Sequence, residues 1–585
     1  MAALTVPREA AGWWHAYVCP AHGVELDHGD LLAGTFPATG AACRYGCRLD
    51  TEAVRGAWTV LAHQTIAQRL RHLAAGPPAE RHEAVTVLHE YAELYAGLPD
   101  THAGADDWML RGRLFHQALT EAIWAVNVAH AVRTLASHHD ARPALGTLVP
   151  LLESLREAAG RARAELLRKG DARSNYAAWL AAAEISCHGA ADVIAGTVPD
   201  PVRLAVEYGL GAHMRVSVHR DGWEWEGSTY YHLFVLRAYL LALRGARPEQ
   251  VPDDMAGVLG AMVSALAGVA APNGTLPALH DGPYRREGQA AEIREVAALA
   301  GQLFTGDPLK PVAQAAERDS TAPLPGDLEG WFAGVPLPAP QPRRSFPDAG
   351  FAVFRSAGIH AVLDAGPHGG GHGHRDKLSL YLYADDGTPW QPDPGQVPYA
   401  HRGMREHYAS TAAHPTFRVD EAEQEPCDAV LDDDTGRCDR AYDGVTASRQ
   451  VVEDRRYLLD ILVLEALTER RLTAQLRPGT DVDVVAQGPD RARTVWGDGD
   501  SAVLTGCHVA RPPAEFSVVA HPGTADDPAR PRQGVDWSLT GRRAVFVSVY
   551  QSADAAPPVR RVSLSERTVH IDLADGTVAT HPIGA

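Results

Sequence analysis

The densest set of reactive side chains is Gly366-Pro-His-Gly-Gly-Gly-His-Gly-His-Arg-Asp-Lys-Leu-Ser, where His368, His372 and His374 stand among glycines just before a predicted strand. Glycine allows backbone and imidazoles to approach a ligand closely. Downstream come Trp390-Gln-Pro-Asp393-Pro-Gly395 and then His414. Imidazoles and a carboxylate brought together by strands suit Zn²⁺, which takes His nitrogen and Asp oxygen. A second polar group, Asp221-Gly-Trp-Glu-Trp-Glu-Gly-Ser-Thr-Tyr-Tyr-His232, reads as a helix entry. Ser228 or Gly227 is its cap, and Tyr231 and His232 fall in the first turns. Ser174-Asn175-Tyr176-Ala-Ala-Trp179 reads as another helix start, where Asn175 alone would pass for a cap. Near the N-terminus, Cys19-Pro-Ala-His22 and Cys43-Arg-Tyr-Gly-Cys47 form C-x2-H and C-x3-C pairs. This is close to zinc-ribbon spacing, with buried thiols in a small β-element as the other reading.

The elements that must position these residues change character along the chain. Residues 1–50 lack helical periodicity and read as a small separate Cys/His element. From Thr51 to residue 321, apolar residues recur at three and four spacing, with breaks such as Gly76-Pro77-Pro78 and Pro199-Asp200-Pro201. Eight to ten helices follow from that spacing, packed as a bundle, solenoid or closed α/α ring. Residues 322–347 are rich in proline and predict a semi-rigid linker. From 348 to 585 the period becomes two, as in Phe351-Ala-Val-Phe and Tyr457-Leu-Leu-Asp-Ile-Leu-Val-Leu, with Asp386-Gly387 and Asp575-Gly576 turns. That pattern predicts an antiparallel β-sandwich, so the fold class is α+β and multidomain.

The 585 residues have an ordinary globular composition, with 45% hydrophobic and 22% charged, which excludes a collagenous or generally disordered chain. The formal net charge of −19 argues against nucleic acid or an anionic membrane as partner. No run approaches the roughly 20 apolar residues of a bilayer span. The start, Met1-Ala-Ala-Leu-Thr-Val-Pro-Arg-Glu-Ala, has no basic region feeding an apolar run, and the seven cysteines are an odd number scattered over the chain. A cytoplasmic protein with reduced thiols is the expectation, or a secreted one if a leader has been removed. No organic cofactor is expected, and a monomer and a dimer are both open.

The blocks HGHRDKLSLYLYADDGTPWQPDPG and EHYASTAAHPTFRVD resemble the heparinase II/III-like domain of polysaccharide lyases, whose pattern is HGHxDKLS, a WxxDPG turn and YxSTxxHNT. DGWEWEGSTYYH is similar to the tyrosine motif of the same superfamily, and SNYAAW to its Asn-containing helix start. The matches keep the family's order and cover roughly residues 50–585. The resemblance implies an incomplete (α/α) toroid followed by the sandwich. It also implies β-elimination on uronate glycans such as heparan sulfate, other glycosaminoglycans or alginate. Tyr231 then corresponds to the catalytic tyrosine, Asn175 to the residue neutralising the uronate carboxylate, and His372 to the active-site histidine. His374, Asp393 and His414 correspond to the ligands of a structural zinc found in some members. Tyr176 stands where many members have histidine, and Pro415 replaces the usual Asn after His414.

Elimination at a 4-linked uronate must neutralise the carboxylate while the C5 carbanion builds, and must supply a base at C5 and an acid at O4. Tyr231 can serve both in a syn reaction, provided cationic neighbours lower its pKa; His232, Arg215 and Arg220 are the candidates. Further substrate contacts are expected from Tyr176, Trp225, His232, Arg375, Tyr399, Arg402 and Arg405, and Trp223 is a second stacking candidate. Because the substrate is anionic, an electropositive cleft is expected, reached from Arg375, Arg402 and Arg405. The alternatives are a uronyl C5-epimerase and a non-catalytic glycan-binding protein. A glycosidase would need paired carboxylates across the bond, and Glu224 and Glu226 lie in one short segment.

Overall fold

The computed structural model describes residues 4–9, 11–101, 110–282, 287–320, 322–488, 491–499 and 503–584. Residues 11–50 hold two short 3-10 turns and a two-stranded ribbon, β1 (Ala41–Ala42) with β2 (Arg48–Leu49). Helices follow: α1 (Glu52–Ala74), α2 (Pro78–Ala96), α3 (Ala118–Ala136), α4 (Val149–Arg168), α5 (Asn175–Ala195), α6 (Pro201–Glu207) and α7 (Leu210–Ser217). Then come α8 (Thr229–Ala242), α9 (Asp253–Val269), α10 (Glu287–Leu303) and α11 (Lys310–Asp319). The periodicity predicts eight to ten. The additional helix arises because Gly209, in the left-handed region at φ 73, divides Pro201–Ser217 in two.

Ser228 caps its helix as expected, and Thr51, Ser174 and Asp200 likewise each accept a backbone N–H of the helix that follows. One apolar core runs through the helices, including fully buried Trp124 and Trp179. Burying each such side chain is worth roughly 1.5–3 kcal/mol. The ring is also cross-linked by buried ions. Arg71 of α1 meets Glu295 of α10 and Asp327, and Arg237 of α8 meets the same Glu295 at 2.6 Å. No described helix is long and apolar enough to cross a membrane.

The proline-rich stretch carries no helix and is laid along the toroid rather than standing free. Trp331 and Phe332 sit in the helical core, and Asp327 pairs with Arg71 and Arg244. Its end forms β3 (Ser345–Phe346), which opens a four-stranded antiparallel sheet with β4 (Phe351–Ser356), β5 (Ile359–Asp364) and β6 (Ser379–Ala384). After α12 (Arg402–Tyr408), a ten-stranded antiparallel sheet follows. It holds β7 (Phe417–Val419), β8 (Val430–Asp432), β9 (Thr435–Cys438), β10 (Val445–Asp454), β11 (Tyr457–Leu476) and β12 (Val482–Ala486). Its remaining strands are β13 (Arg491–Trp496), β14 (Leu504–Arg511), β15 (Glu515–His521) and β16 (Arg532–Ser552).

Leucine, tryptophan and aromatic residues from both sheets form the sandwich core. A third sheet, β17 (Val559–Leu564), β18 (Thr568–Leu573) and β19 (Val578–Pro582), covers the other face of the large one through Tyr457, Val547, Val569 and Ile571. The toroid meets the small sheet through Trp223, Val269 and Leu279 packed on Phe351, Val362 and Tyr381. That apolar seam fixes where the two halves place their polar groups.

Candidate active site at the seam

Three segments converge at the seam. Ser228 caps α8, with the Tyr231 N–H donating to its Oγ at 3.2 Å, which sets Tyr231 at the first turn facing the sandwich. Ser174, not Asn175, caps α5, so the Asn175 side chain is released for other work. The glycine loop carries His372 and His374 on opposite sides of Gly373, whose added Cβ would lie 1.3 Å from the His368 carbonyl oxygen. No larger residue fits between the two histidines.

The residue joining these segments is Asp281, which sequence reasoning did not single out. Its Oδ2 accepts from His372 Nδ1 at 2.9 Å, Tyr399 OH at 2.9 Å and Arg405 Nη1 at 3.0 Å. Its Oδ1 accepts from His374 Nε2 at 3.1 Å and Gln396 Nε2 at 3.2 Å. The short loop 279–282 is clamped on every side. The Ser228 hydroxyl donates to the Asp281 carbonyl, the Asp281 N–H donates to the His372 carbonyl at 3.2 Å, and the His280 N–H donates to Asp393 at 2.9 Å. His280 itself is held at φ 58, a strained position for a side-chain-bearing residue. Burial opposes ionisation of Asp281, but its bonds to His372 and His374 and the Arg405 charge hold it well below the usual carboxylate range.

Around this node the catalytic candidates touch. Tyr231 OH lies 2.9 Å from Tyr399 OH, and the Tyr231 ring stacks on His372 with centroids 3.8 Å apart. Burial disfavours a charged His372, yet Glu226 at 3.8 Å and Asp281 outweigh it and raise its pKa. Burial, with Tyr399 and Asp281 adding to it, pushes the Tyr231 phenol well above its ordinary value, so its resting form is protonated. Asn175 Nδ2 donates to Glu226 at 3.1 Å, while its buried Oδ1 has no partner. Burial raises the pKa of Glu226, against the opposing effect of His372 and the Asn175 N–H.

Asn175, Tyr176, Tyr231, His372 and Tyr399 all line one cavity of about 1150 Å³, whose lining also includes Trp13, Trp14 and His15. Several expected contacts are not there. His232 is fully buried, bonded to Glu224 N–H and the Met262 carbonyl, with burial lowering its pKa to about 4, so it is a core residue. Trp223 is also fully buried, in the domain seam. Trp225 donates to the Arg173 carbonyl and lies under that guanidinium, outside the cavity lining. Arg215 pairs with Asp254 on the surface, and Arg220 is exposed, so neither lowers the pKa of Tyr231. Arg375 and Arg402 are exposed and outside the lining; Arg405 is bound to Asp281 with its guanidinium 3.8 Å over the Tyr399 ring.

The cleft is therefore not the electropositive one expected. Among the described lining residues Glu25, Asp30, Glu83, Glu292 and Glu295 outnumber Arg69, Arg237 and His372, and Arg237 is already paired with two of them. The predicted arginines are not part of the cavity lining, a placement set by tertiary packing that spacing does not report.

Behind His372, the buried side chains His374, Asp376, Asp393 and His414 place ligand atoms within 4.8 Å of one another. Asp376 was not among the ligands expected. His374 Nδ1 and His414 Nε2 are 3.2 Å apart, near the separation of about 3.3 Å that two nitrogens at 2.0–2.1 Å have on a tetrahedral zinc. Each ring's other nitrogen is engaged, His374 with Asp281 and His414 with the Ser410 carbonyl at 2.8 Å, which is how ligand histidines are oriented. Burial lowers the His414 pKa and favours the neutral ligand form. The donor set fits zinc. His280, raised to about 10 because Asp376 and Asp364 overcome its burial, braces the opposite side of Asp376.

A helical toroid joined to an antiparallel β-sandwich, with tyrosines and histidines meeting at the seam, defines the architectural class. Residues 338–545 match the family model described as Heparinase II/III-like, C-terminal. The matched stretch is 208 of the 585 residues, so the likeness is one of the C-terminal domain. Among solved structures, the one described as the Heparinase III-BT4657 gene product has a TM-score of 0.63 at 13% identity, covering 100% of this chain and 93% of that one. The heparan sulfate lyase HepC from Pedobacter heparinus has a TM-score of 0.61 at 16% identity, covering 90% and 83%. A third, described as Heparinase III, has 0.59 at 12%, covering 90% and 82%. At these identities the likeness speaks for the fold. A search of curated proteins finds no match.

Proposed function

We propose that this protein is a lyase cleaving uronate-containing poly- or oligosaccharides by β-elimination, and that its substrate carries few charges besides the reacting carboxylate. The observation that carries this reading is the convergence of Asn175, Tyr231, His372 and Tyr399 on one wall of the cavity, braced through Asp281. His372, held cationic by Glu226 and Asp281, and the Asn175 amide face the carboxylate and stabilise the charge that builds as C5 loses its proton. Asn175 Nδ2 spends one N–H on Glu226 and has the other for the substrate.

With its ring stacked on His372, Tyr231 loses its phenol proton by way of Tyr399, 2.9 Å away, to solvent as the substrate binds, and as the phenolate takes the C5 proton. It then delivers that proton to the departing glycosidic oxygen. The C5–H and C4–O bonds break, C4=C5 forms, and the leaving oxygen gains the proton, so the balance closes on one face of the sugar. Zinc in the His374, Asp376, Asp393 and His414 group supplies structural support only, fixing His374 and through it Asp281. The aromatic, net acidic lining favours sugar faces over sulfates.

The test is incubation with sulfated and unsulfated uronate polymers and oligomers, following the ultraviolet absorbance of the unsaturated uronate and the product masses. Unsulfated substrates should turn over fastest, and Tyr231→Phe should lower kcat about 10²–10⁴-fold with the fold intact. Absence of an unsaturated product from every uronate glycan refutes the reading. Solvent-deuterium incorporation at C5 without cleavage would point to an epimerase.

A further inference from the structure

We propose that Cys19, His22, Cys43 and Cys47 bind one Zn²⁺, and that this ion holds residues 11–50 in place as a wall of the cleft. The inference does not depend on the lyase reading, and the group lies outside the matched residues 338–545. His22 Nδ1 lies 3.4 Å from Cys19 Sγ, 3.5 Å from Cys43 Sγ and 3.6 Å from Cys47 Sγ. On a tetrahedral zinc, with Zn–N at 2.0–2.1 Å and Zn–S at 2.3 Å, each nitrogen–sulfur edge is about 3.5–3.6 Å. Hydrogen bonding does not explain the set, because an imidazole nitrogen has one proton or one lone pair and cannot serve three sulfurs. All four ligand atoms lie within 4.8 Å of one another, and the cysteines are free thiols.

The backbone is shaped for this. Each ligand pair sits on a tight turn, closed by Gly23 N–H on the Cys19 carbonyl at 2.8 Å and by Gly46 N–H on the Cys43 carbonyl at 2.9 Å. Gly23 and Gly46 both have positive φ, 71 and 89. The Tyr45 N–H points at Cys43 Sγ at 3.4 Å, and the Tyr45 ring stacks on His22. With only two short 3-10 turns and a two-residue ribbon, this segment has little structure of its own to rely on, the circumstance in which small elements use a metal.

The segment touches the site directly. His15 stacks on Tyr399 with centroids 4.0 Å apart and planes 7° off parallel, and accepts the Tyr399 N–H at 3.3 Å. Trp13, Trp14 and Tyr17 line the cavity beside it. On its other side Pro20 accepts from His401, and Tyr45 bonds to Asp527 of the sandwich. The ion thus clips a strap that spans both domains and presses on one of the two bonded tyrosines.

The experiment exchanges the metal of the full chain for cobalt(II) and records the near-ultraviolet spectrum. Thiolate-to-cobalt charge transfer is expected from this group, whereas the His374, Asp376, Asp393 and His414 group has no sulfur donor and gives none. Cys43→Ser should lose the band and one zinc per chain. Hydrogen exchange in residues 11–50 should then accelerate by at least about tenfold, with the sandwich strands unaffected. A wild-type cobalt protein with no thiolate band, or Cys43→Ser with a wild-type metal content, overturns the proposal. If Cys43→Ser does not fold, a thiol-blocking mercurial titrated into the wild-type protein should release one zinc, and failure to release it overturns the proposal equally.

Discussion

Replacing Asp281 by Asn keeps the shape of the side chain and removes its charge, and the structure sets the consequence. Five donors point at its two oxygens: His372, Tyr399 and Arg405 at one, His374 and Gln396 at the other. An amide has one oxygen, so its NH₂ must face at least two of these donors. Losing two charge-assisted bonds at about 1.5–3 kcal/mol each gives a cost of roughly 3–6 kcal/mol. Part of that falls on His372, which loses a partner that raises its pKa. The alkaline limb of kcat/KM should therefore move to lower pH, and kcat/KM at neutral pH should fall about 10²–10³-fold. The assay is the pH–rate profile of the unsaturated-uronate signal, with circular dichroism to establish that the chain is folded. A folded Asp281→Asn protein with the wild-type pH profile and rate would refute the placement of Asp281 as the positioning residue of the site.

Gly373→Ala should separate the two histidines' roles, because its Cβ collides with the His368 carbonyl; activity should drop at least about tenfold while the melting transition of the helical half holds. His414→Ala should lower bound zinc by one ion per chain on elemental analysis, leaving the thiolate-to-cobalt band unchanged. Glu295 gives an acid limit. Burial opposes its charge, but Arg237 and Arg71 lower its pKa from 4.5 to about 2, worth about 3 kcal/mol. Because the folded value is the depressed one, this stability is present above pH 4.5 and is lost as pH falls towards 2. Glu295→Gln should remove that part of the acid dependence of unfolding monitored by circular dichroism.

The order of helices and strands was legible because period and punctuation are local: Gly209 excepted, the breaks fall at prolines and glycines visible in the chain. His372, His374 and Asp393 stood out for the same reason, packed among glycines or in a Trp-x-x-Asp-Pro-Gly turn, and His414 did so through its Tyr-x-Ser-Thr-x-x-His block. Asp281 did not. It sits in Leu279-His280-Asp281-Gly282, ordinary loop composition, and its partners are 91 to 124 positions away. Its one local sign is the following glycine, and only the fold supplies the rest. Asp376 was within the recognised block but read as part of its pattern rather than as a ligand. Arg375 and Arg402 misled because charge was assigned to a cleft by proximity in sequence, while the chain turns their side chains outward.

Asn175 and Tyr231 come from the helical half, whereas His372 and Tyr399 hang on a sheet system whose central strand β11 is paired along nearly its whole length with β16, residues 532–552. A chain emerging from the ribosome can complete its toroid hundreds of residues before the second half of the site has a scaffold. Until β16 is made, the nascent protein holds a tyrosine without its histidine. A chain cut short before residue 532 thus lacks the scaffold of His372 and Tyr399 even where its helical half has folded.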